Sequence, residues 1–592
     1  MKRTHDLLRN HSITRRSFMI MSGQAGLFSV LASKMLYMQI VDAKKYRILS
    51  DKNRISLVML SPARGEITDR NGNIICTNHS AFRVILNKTE NPKYKDAVKH
   101  LGDLLNLSEN EHIDLAKVAA KIQKKQPSPL FENLSWEQVA IIEENISTLD
   151  GIYIDTGQYR QYNFAEYLSH PIGYISRISK QDKVDFELEN VADFQMGKHG
   201  IEKFYEEDLQ GSFGMQEVEV NAHGMLIREI SKTPSTPGHD IKTNIDTDIQ
   251  IAAMKILNPK GSSAVILDLL NGEVITMASS PGFDPNQFVG GVSQNYWNQM
   301  LNDPHKPLIN KCIQNNYPPG SIFKMIVVLA ALENGMDPNI KINCTGHSVL
   351  GDSHFRCWYR PGHGELDMAH AIEHSCNSYM YYIAKTIGAE KIAETARKFG
   401  LGSNTGIDLP SESAGLIPDA VWKKSKFKQK WTLGDSLNTA IGQGFVLATP
   451  LQLACLCGSI ASGGKLFTPR IVGSKEIKRI DVAPEHLEFL KAGMVNVINA
   501  PSGTAYAQRI SHPDWIMAGK TGTSQVRSKI GETDWSTSGP WESRNHALFI
   551  GYAPAHAPRF AISVVVDHGG GGGSAAAPIA RELMLELRKK YG

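Results

Sequence analysis

The stretch Pro318-Pro319-Gly320-Ser321-Ile322-Phe323-Lys324 lies near the middle of a chain of 592 residues and decides which fold and chemistry to expect. The Pro-Pro-Gly entry and the apolar run at residues 325–332 predict a turn that opens into a buried helix. Residues three apart share one face of a helix, so a hydroxyl and an amine can meet there. A serine becomes a useful nucleophile only when a neighbour accepts its proton. We therefore predict that Ser321 is a nucleophile and Lys324 its activating partner.

A Ser-x-x-Lys pattern is weak evidence by itself, because the chain contains a second copy that runs from Ser425 to Lys428. This second copy lies among four lysines within residues 423–428 and lacks the apolar run that follows the first. We interpret it as a solvated surface.

We compare three Ser-x-Asn triplets that lie after residue 290, at Ser293, Ser375 and Ser436. Most isolated triplets of this kind are ordinary polar helix caps. We choose Ser375 and Asn377, because they follow the first Ser-x-x-Lys motif and precede a helix-like run at residues 379–387. Such a loop can place a hydroxyl and an amide against the serine–lysine pair.

The third motif, Lys520-Thr521-Gly522-Thr523, occurs once and is predicted to form the edge of a strand. Its glycine lets a substrate backbone approach closely. Lys520 adds a second cation, which can hold a substrate carboxylate and lower the pKa of Lys324. The backbone amides of Ser321 and Thr523 could then form an oxyanion hole.

The order of the three motifs is more informative than any one of them. Ser375 follows Ser321 by 54 residues, and Lys520 follows Ser375 by 145 residues. This ordered set is the signature of penicillin-binding proteins and serine β-lactamases. Helical segments such as residues 246–257 alternate here with predicted strands at residues 263–268, 273–278, 547–552 and 560–567.

The N-terminus carries a membrane-targeting pattern. A basic tail at residues 1–16 precedes an apolar stretch at residues 17–40, which is long enough for a bilayer-spanning helix. A cleaved signal peptide or a twin-arginine export signal at Thr14-Arg15-Arg16 is the alternative. We expect an uncleaved anchor, a mixed α/β pedestal domain at residues 41–245 and a catalytic domain at residues 246–592. The fold class is thus a multidomain α/β (α+β) protein.

Composition excludes several classes of protein. A net charge of +4 is too balanced for a nucleic-acid binder, so no nucleic-acid partner is expected. Seven cysteines in a chain of this length do not form a disulfide framework. Cys455 and Cys457 lie in an apolar run and are predicted to be core thiols.

A second cluster of candidate ligands lies between the first two motifs. Cys344, Cys357 and Cys376, together with His363, offer three thiolates and one imidazole, which would complete a closed tetrahedral zinc site. Their spacing matches no standard zinc finger. A Cys344–Cys357 disulfide and three free thiols remain alternatives. The chemistry itself requires no cofactor, so the zinc would be structural.

Beyond the three catalytic motifs, the whole chain resembles the class B penicillin-binding proteins, and within them the transpeptidases of the elongation machinery. The residues that carry this resemblance are Arg64-Gly65-x-Ile67-x-Asp69-Arg70-Asn71-Gly72, Gly200-Ile201-Glu202-x-x-Tyr205, Leu209-x-Gly211-x-x-Gly214, Gly442-Gln443-Gly444 and Thr449-Pro450-x-Gln452-Leu453.

The resemblance implies a β-lactamase-like catalytic domain with an antiparallel sheet flanked by helices. It implies a peptidoglycan D,D-transpeptidase that acts on the D-Ala-D-Ala end of stem peptides, maintains cell shape and is inhibited by β-lactam antibiotics. It further implies a single-pass protein of the bacterial inner membrane with its catalytic domain in the periplasm. A SEDS-type glycosyltransferase (RodA) and the scaffold MreC would be its partners.

Three other functions compete with this interpretation. A β-lactamase or β-lactam sensor shares the three motifs but would not be expected to carry an anchor and some 200 further residues. A D,D-carboxypeptidase differs only in its acceptor. A non-catalytic β-lactam-binding scaffold would not be expected to keep Ser321, Lys324, Ser375, Asn377 and Lys520 intact.

Overall fold

The computed structural model describes residues 15–41, 55–88, 93–122, 128–178, 182, 194–220, 226–257, 261–526 and 540–592. Residues 1–14 of the basic tail lie outside these residues, whereas Arg15 and Arg16 of the twin-arginine motif begin the first helix. The chain divides into two compact units, the first formed by residues 1–62 and 212–236 and the second by residues 63–211 and 237–592.

The helices are, in chain order, α1 (Arg15–Leu36), α2 (Tyr94–Leu104), α3 (Glu109–Lys121), α4 (Trp136–Glu144), α5 (Ser169–Ile172), α6 (Gly200–Phe204), α7 (Glu206–Gln210), α8 (Thr247–Leu257), α9 (Gln294–Asn302), α10 (Lys324–Glu333), α11 (Met368–Glu373), α12 (Asn377–Ile387), α13 (Ala389–Lys398), α14 (Ala420–Phe427), α15 (Leu433–Ala440), α16 (Pro450–Ala461), α17 (Pro484–Asn499) and α18 (Ala577–Tyr591).

The strands are β1 (Ile55–Leu60), β2 (Ile67–Thr68), β3 (Ile74–Leu86), β4 (Ser128–Leu134), β5 (Ile152–Tyr162), β6 (Ile175–Arg177), β7 (Gln195–Gly197), β8 (Gly214–Val220), β9 (Leu226–Thr233), β10 (Ile241–Lys242), β11 (Ser262–Asp268), β12 (Glu273–Ser279), β13 (Ile342–Cys344), β14 (His347–Leu350), β15 (Ser353–Arg356), β16 (Gly364–Leu366), β17 (Lys465–Leu466), β18 (Lys478–Arg479), β19 (Ala518–Ser524), β20 (His546–Ala553) and β21 (Phe560–Val566).

The first unit contains α1 and a three-stranded antiparallel sheet in the order β1-β8-β9. Within the described ranges, Phe18–Leu36 is the one helix that is long and apolar enough to cross a membrane. The predicted apolar stretch at residues 17–40 is therefore helical from its start to Leu36 and continues as a π-helical turn over Tyr37–Val41.

The N-terminal part of the second unit is built on a sheet in which β3 pairs with β2, β4 and β5. Three residues from separate segments meet at its base. Arg64 Nε lies 2.6 Å from Glu202 Oε2, and Arg160 Nε lies 2.8 Å from Glu202 Oε1. Glu202 is fully buried, so two guanidinium groups offset the cost of burying its charge. Two of the motifs that carry the family resemblance thus meet in one ion-pair network.

The C-terminal part is organised around a five-stranded antiparallel sheet in the order β12-β11-β21-β20-β19. Strands β11 and β21 are buried at every position, which requires cover on both faces of the sheet. The helices α8, α18, α16 and α17 supply that cover. The predicted strands and the antiparallel sheet flanked by helices are confirmed, and β19 lies at the edge of the sheet.

Candidate active site

Ser321 lies in a tight turn that follows α9 in the chain and leads directly into α10. Gly320–Ile322 forms one turn of 3₁₀ helix, and α10 begins at Lys324 and is buried along nearly its whole length. Gly320 has a φ of +54°, and a Cβ at this position would lie 2.4 Å from Thr523 O. Only glycine therefore fits between the nucleophile turn and strand β19. Ser321 is partly exposed, as a nucleophile that meets substrate must be.

Lys324 is fully buried, and its amine faces the second motif. Its Nζ donates to Asn377 Oδ1 at 2.6 Å and to Ser375 O at 2.7 Å, and Ser375 Oγ lies 3.2 Å away. The amine therefore links the helix that starts at the nucleophile turn to both named residues of the Ser-x-Asn motif.

The three Ser-x-Asn copies have different structural roles. Ser293 Oγ accepts a hydrogen bond from Tyr296 N and caps α9, while Ser436 lies inside α15. Ser375 alone of the three contacts Lys324, and its backbone is in the left-handed region with φ +55°. A serine held in this conformation costs of order 1–3 kcal/mol, and such residues concentrate at functional sites. The structure thus places Ser375, the copy that the sequence favours, next to Lys324.

The third motif occupies the edge strand β19, as predicted. Lys520 is fully buried within this strand, and a Cβ on Gly522 would lie 2.9 Å from Pro319 O. Gln443 Nε2 donates to Thr523 O at 3.0 Å. The main chains of the nucleophile turn and of β19 are therefore adjacent, which is the arrangement that an oxyanion hole between them requires.

The two buried lysines have lowered pKa values for related reasons. Burial lowers the pKa of Lys324 to about 8, while the thiols of the neighbouring cysteines oppose that change. Burial, and then the charge of Lys324, holds the pKa of Lys520 well below its ordinary value. The repulsion between the two amines thus lowers the pKa of Lys520. Burial is the cause that lowers the pKa of Lys324, and the predicted contribution of Lys520 to this shift stays a prediction.

Cys344, Cys357, His363 and Cys376 converge beside Lys324. Their ligand atoms all lie within 4.8 Å of one another, and His363 Nδ1 lies 3.6 Å from the Sγ atoms of both Cys344 and Cys357. The three thiols are buried and carry no disulfide. A hydrogen bond from the Cys376 thiol lowers the pKa of Cys357 to about 4. This donor set and spacing fit a tetrahedral metal site with Zn–S bonds near 2.3 Å.

Trp358 was not singled out from the sequence. Its Nε1 donates to His374 O at 3.0 Å and to Ser375 O at 3.1 Å, although 55% of the residue remains exposed. Ser375 O thus accepts from both the indole and the Lys324 amine. No sequence pattern marks this contact, because Trp358 and Ser375 are 17 residues apart and meet only in the folded chain.

The remaining sequence predictions have clear outcomes. Cys455 and Cys457 are buried in α16, so both are core thiols. Ser425 is exposed on α14, but its neighbour Lys423 is buried and forms an ion pair with Asp435. The segment is therefore solvated except at that one lysine.

Family comparison agrees with this geometry along most of the chain. Residues 262–585 match the penicillin-binding protein transpeptidase domain, and residues 59–243 match the penicillin-binding protein dimerisation domain. The peptidoglycan D,D-transpeptidase MrdA of Acinetobacter baumannii is 34% identical over 566 residues, which cover 92% of this chain and 84% of that protein.

Two solved structures resemble the chain over most of its length. Penicillin-binding protein PBP2 of Helicobacter pylori, solved in complex with MreC, has a TM-score of 0.81 and 31% identity, and covers 90% of this chain and 99% of its own. A chain of a peptidoglycan synthase complex, described for its coordination of polymerization and crosslinking, has a TM-score of 0.70 and 25% identity. It covers 98% of this chain and 99% of its own.

Proposed function

The chain belongs to the class B penicillin-binding proteins and is a serine-type peptidoglycan D,D-transpeptidase, and from this premise we propose that Ser321 is its nucleophile and Lys324 its proton acceptor. The observation that carries the assignment is the Lys324 amine, which is buried, has a pKa lowered to about 8, and is held by Ser375 and Asn377. A lysine in this state can take a proton near neutral pH.

Acylation begins when a stem peptide binds along β19. Lys520, with Thr521, Gly522 and Thr523, holds the terminal carboxylate and the peptide backbone. Ser321 Oγ attacks the carbonyl carbon of the penultimate D-Ala while its proton passes to Lys324 Nζ, and the amides of Ser321 and Thr523 stabilise the oxyanion.

The tetrahedral intermediate then collapses. The terminal D-Ala leaves as an amine that takes up the proton, for which Ser375 Oγ offers a path because it lies 3.2 Å from Lys324 Nζ. An amine of a neighbouring stem peptide then attacks the carbonyl carbon of the resulting ester. The bond from this carbon to Ser321 Oγ breaks, and the proton that the amine loses returns to Ser321 Oγ, which completes the cross-link and frees the serine. A β-lactam would acylate Ser321 by the same first step and block it.

Labelling with a fluorescent penicillin tests these roles. We expect label on the wild-type protein and on Ser425→Ala, which removes the serine of the second Ser-x-x-Lys copy, and no label on Ser321→Ala. Label that survives Ser321→Ala would overturn the assignment. A second assay supplies uncross-linked peptidoglycan strands with and without an acceptor amine on their stem peptides. Transpeptidation would form cross-linked stem-peptide dimers, whereas D,D-carboxypeptidation would release D-Ala without forming them.

We further propose that Cys344, Cys357, Cys376 and His363 hold a structural zinc ion. Bound zinc would supply four ligand bonds that tie β13 and the β14–β15 hairpin to the start of α12, and would thereby fix Ser375 and Asn377 on either side of Cys376. The support is the donor set and its spacing within 4.8 Å. The ion would take no part in the chemical steps.

Elemental analysis of the purified full-length protein tests the site. We expect one zinc per chain, loss of that zinc in Cys357→Ser, and a lower melting temperature on chelation. Cys455→Ser, which alters a core thiol outside the cluster, is the matched control and should keep its zinc. A metal-free wild-type protein with a Cys344–Cys357 disulfide would refute the proposal.

The location and partners follow from the same family. We propose that α1 is an uncleaved single-pass anchor in the bacterial inner membrane, that the pedestal ends near residue 245, and that residues 246–592 form the catalytic domain in the periplasm. MreC and a RodA-type glycosyltransferase are the proposed partners, which the solved complexes of similar proteins support. Protease accessibility in spheroplasts and co-purification with each partner would test these assignments.

A further inference from the structure

An exposed run of lysines follows α14 into its connection with α15. Lys424, Lys426, Lys428 and Lys430 are all exposed, and we call them the lysine segment. The first two lie in the last turn of α14, where a cation interacts favourably with the helix dipole. Lys428 is the C-cap residue, and its backbone N–H donates to Lys424 O. Lys430 lies beyond the cap, so the helix end does not account for it.

The lysine segment is fixed on the protein by aromatic packing. The rings of Trp422 and Phe427 lie with their centroids 5.1 and 5.2 Å from that of Phe445. Lys423, which is buried, forms an ion pair with Asp435 at the start of α15. The backbone that carries the four exposed ammonium groups is therefore held in place. Because this backbone is already ordered, less conformational entropy of the protein is lost when a ligand binds.

The carboxylates nearest in sequence are already paired with other groups. Asp419 caps α14 and lies 2.6 Å from Arg397 Nη2, and Asp435 is bound by Lys423 and Thr432. Over the described ranges of the chain, no carboxylate lies within ion-pair distance of the lysine segment. Four like charges within seven residues create a positive potential that nothing on this part of the surface neutralises.

The support of the lysine segment is also part of the active site. Phe445 ends the short loop at residues 442–445. In this loop Gly442 O accepts from Gly320 N at 2.9 Å, and Gln443 Nε2 donates to Thr523 O at 3.0 Å. One loop thus packs against the nucleophile turn, the substrate strand β19 and the aromatic base of the lysine segment.

We propose that the lysine segment is a substrate subsite that binds the internal carboxylates of peptidoglycan stem peptides. The proposal rests on the proposed function, since it adds a second contact for the same peptidoglycan substrate. Stem peptides bear carboxylates that are separate from the terminal one held at Lys520. Four exposed ammonium groups on a segment that packs against the active-site loop offer charge complementarity for these carboxylates. They would retain a peptidoglycan strand rather than a small molecule.

The test compares strand binding with penicillin acylation in the full-length protein. Uncross-linked strands with intact stem peptides compete against fluorescent penicillin for Ser321, and the strand concentration that halves labelling is measured at low salt. For K424Q/K426Q/K428Q/K430Q we expect this concentration to rise about tenfold, because each exposed ion pair contributes modestly. Labelling by penicillin alone should stay within about twofold of wild type, since the lysine segment lies outside the reacting centre.

Two controls isolate charge and position. K424R/K426R/K428R/K430R keeps the charges and should bind strands like wild type. K385Q/K398Q/K475Q/K478Q removes four exposed lysines elsewhere in the same domain and should also bind like wild type. Strands whose internal carboxylates are amides, with the terminal carboxylate retained, should bind wild type and the quadruple Gln variant equally weakly.

Several results would overturn the proposal. Unchanged strand competition in the quadruple Gln variant would do so, and so would an equal loss with amidated strands. If the quadruple Gln variant instead lost binding to phosphatidylglycerol vesicles while peptidoglycan strands competed with penicillin as in wild type, the lysine segment would be assigned to a membrane surface. Loss of penicillin labelling itself in wild type would instead count against the proposed function, so the two failures are distinguishable.

Discussion

Acylation of Ser321 should follow the titration of Lys324, because only the neutral amine can accept the serine proton. The perturbation is pH alone, applied to the wild-type protein. As pH rises, the neutral fraction of Lys324 increases, so the acylation rate should rise and then level off. The sign is that of a base whose pKa is depressed by burial.

The magnitude follows from the lowered pKa of about 8. At pH 7 about one molecule in ten would carry a neutral Lys324, whereas a lysine with an ordinary pKa would be neutral in fewer than about one molecule in a thousand. Acylation should therefore rise about tenfold between pH 7 and pH 9 and change little above that. The midpoint of the rise should lie close to pH 8.

The assay is the second-order rate of fluorescent penicillin labelling from pH 6 to pH 10. Lys324→Arg should be inactive throughout, since an arginine does not deprotonate in this range. Lys520→Met should weaken saturation by penicillin but leave the midpoint near pH 8, because burial is the cause that lowers the pKa of Lys324. A flat profile in wild type, or a midpoint near 10, would refute the reasoning.

Three further variants test the surroundings of the site. Trp358→Phe removes the indole N–H that donates to Ser375 O and should slow penicillin acylation about two- to tenfold, with an unchanged melting temperature. A wild-type acylation rate would show that this hydrogen bond is dispensable. Glu202→Ala leaves the buried Arg160 guanidinium without its carboxylate, while Arg64 keeps Glu206. It should destabilise the protein by about 3–5 kcal/mol in thermal or denaturant unfolding, and a change below about 1 kcal/mol would contradict this. Gly320→Ala should reduce acylation about a hundredfold, because its Cβ would lie 2.4 Å from Thr523 O, and labelling at the wild-type rate would argue against the close approach.

The residues proposed as catalytic could be selected from the sequence because each lies in a short motif with its own local context. The Pro-Pro-Gly entry and the apolar run marked Ser321 out from Ser425, and the order of the motifs marked Ser375 out from Ser293 and Ser436. The strands of the central sheet were equally predictable, since buried strands form continuous apolar runs that are bounded by turn residues.

Contacts between distant segments were harder to predict. Trp358 reaches the Ser-x-Asn motif only because the β14–β15 hairpin returns the chain to the start of α12. The sequence predicted that burial and Lys520 together lower the pKa of Lys324, but how deeply the amine is buried is visible only in the structure. Both properties arise from tertiary packing, which residue spacing does not encode.

Ser375 O is the atom through which the separate parts of the site influence one another. It accepts from Lys324 Nζ at 2.7 Å and from Trp358 Nε1 at 3.1 Å, and the next residue, Cys376, belongs to the Cys/His cluster. Its residue also holds a left-handed backbone conformation that the surroundings must enforce. A change at Cys357 or Trp358 would therefore reach the Lys324 amine by moving one carbonyl, that of Ser375. The cluster and the hairpin can thus control acylation through position rather than through chemistry.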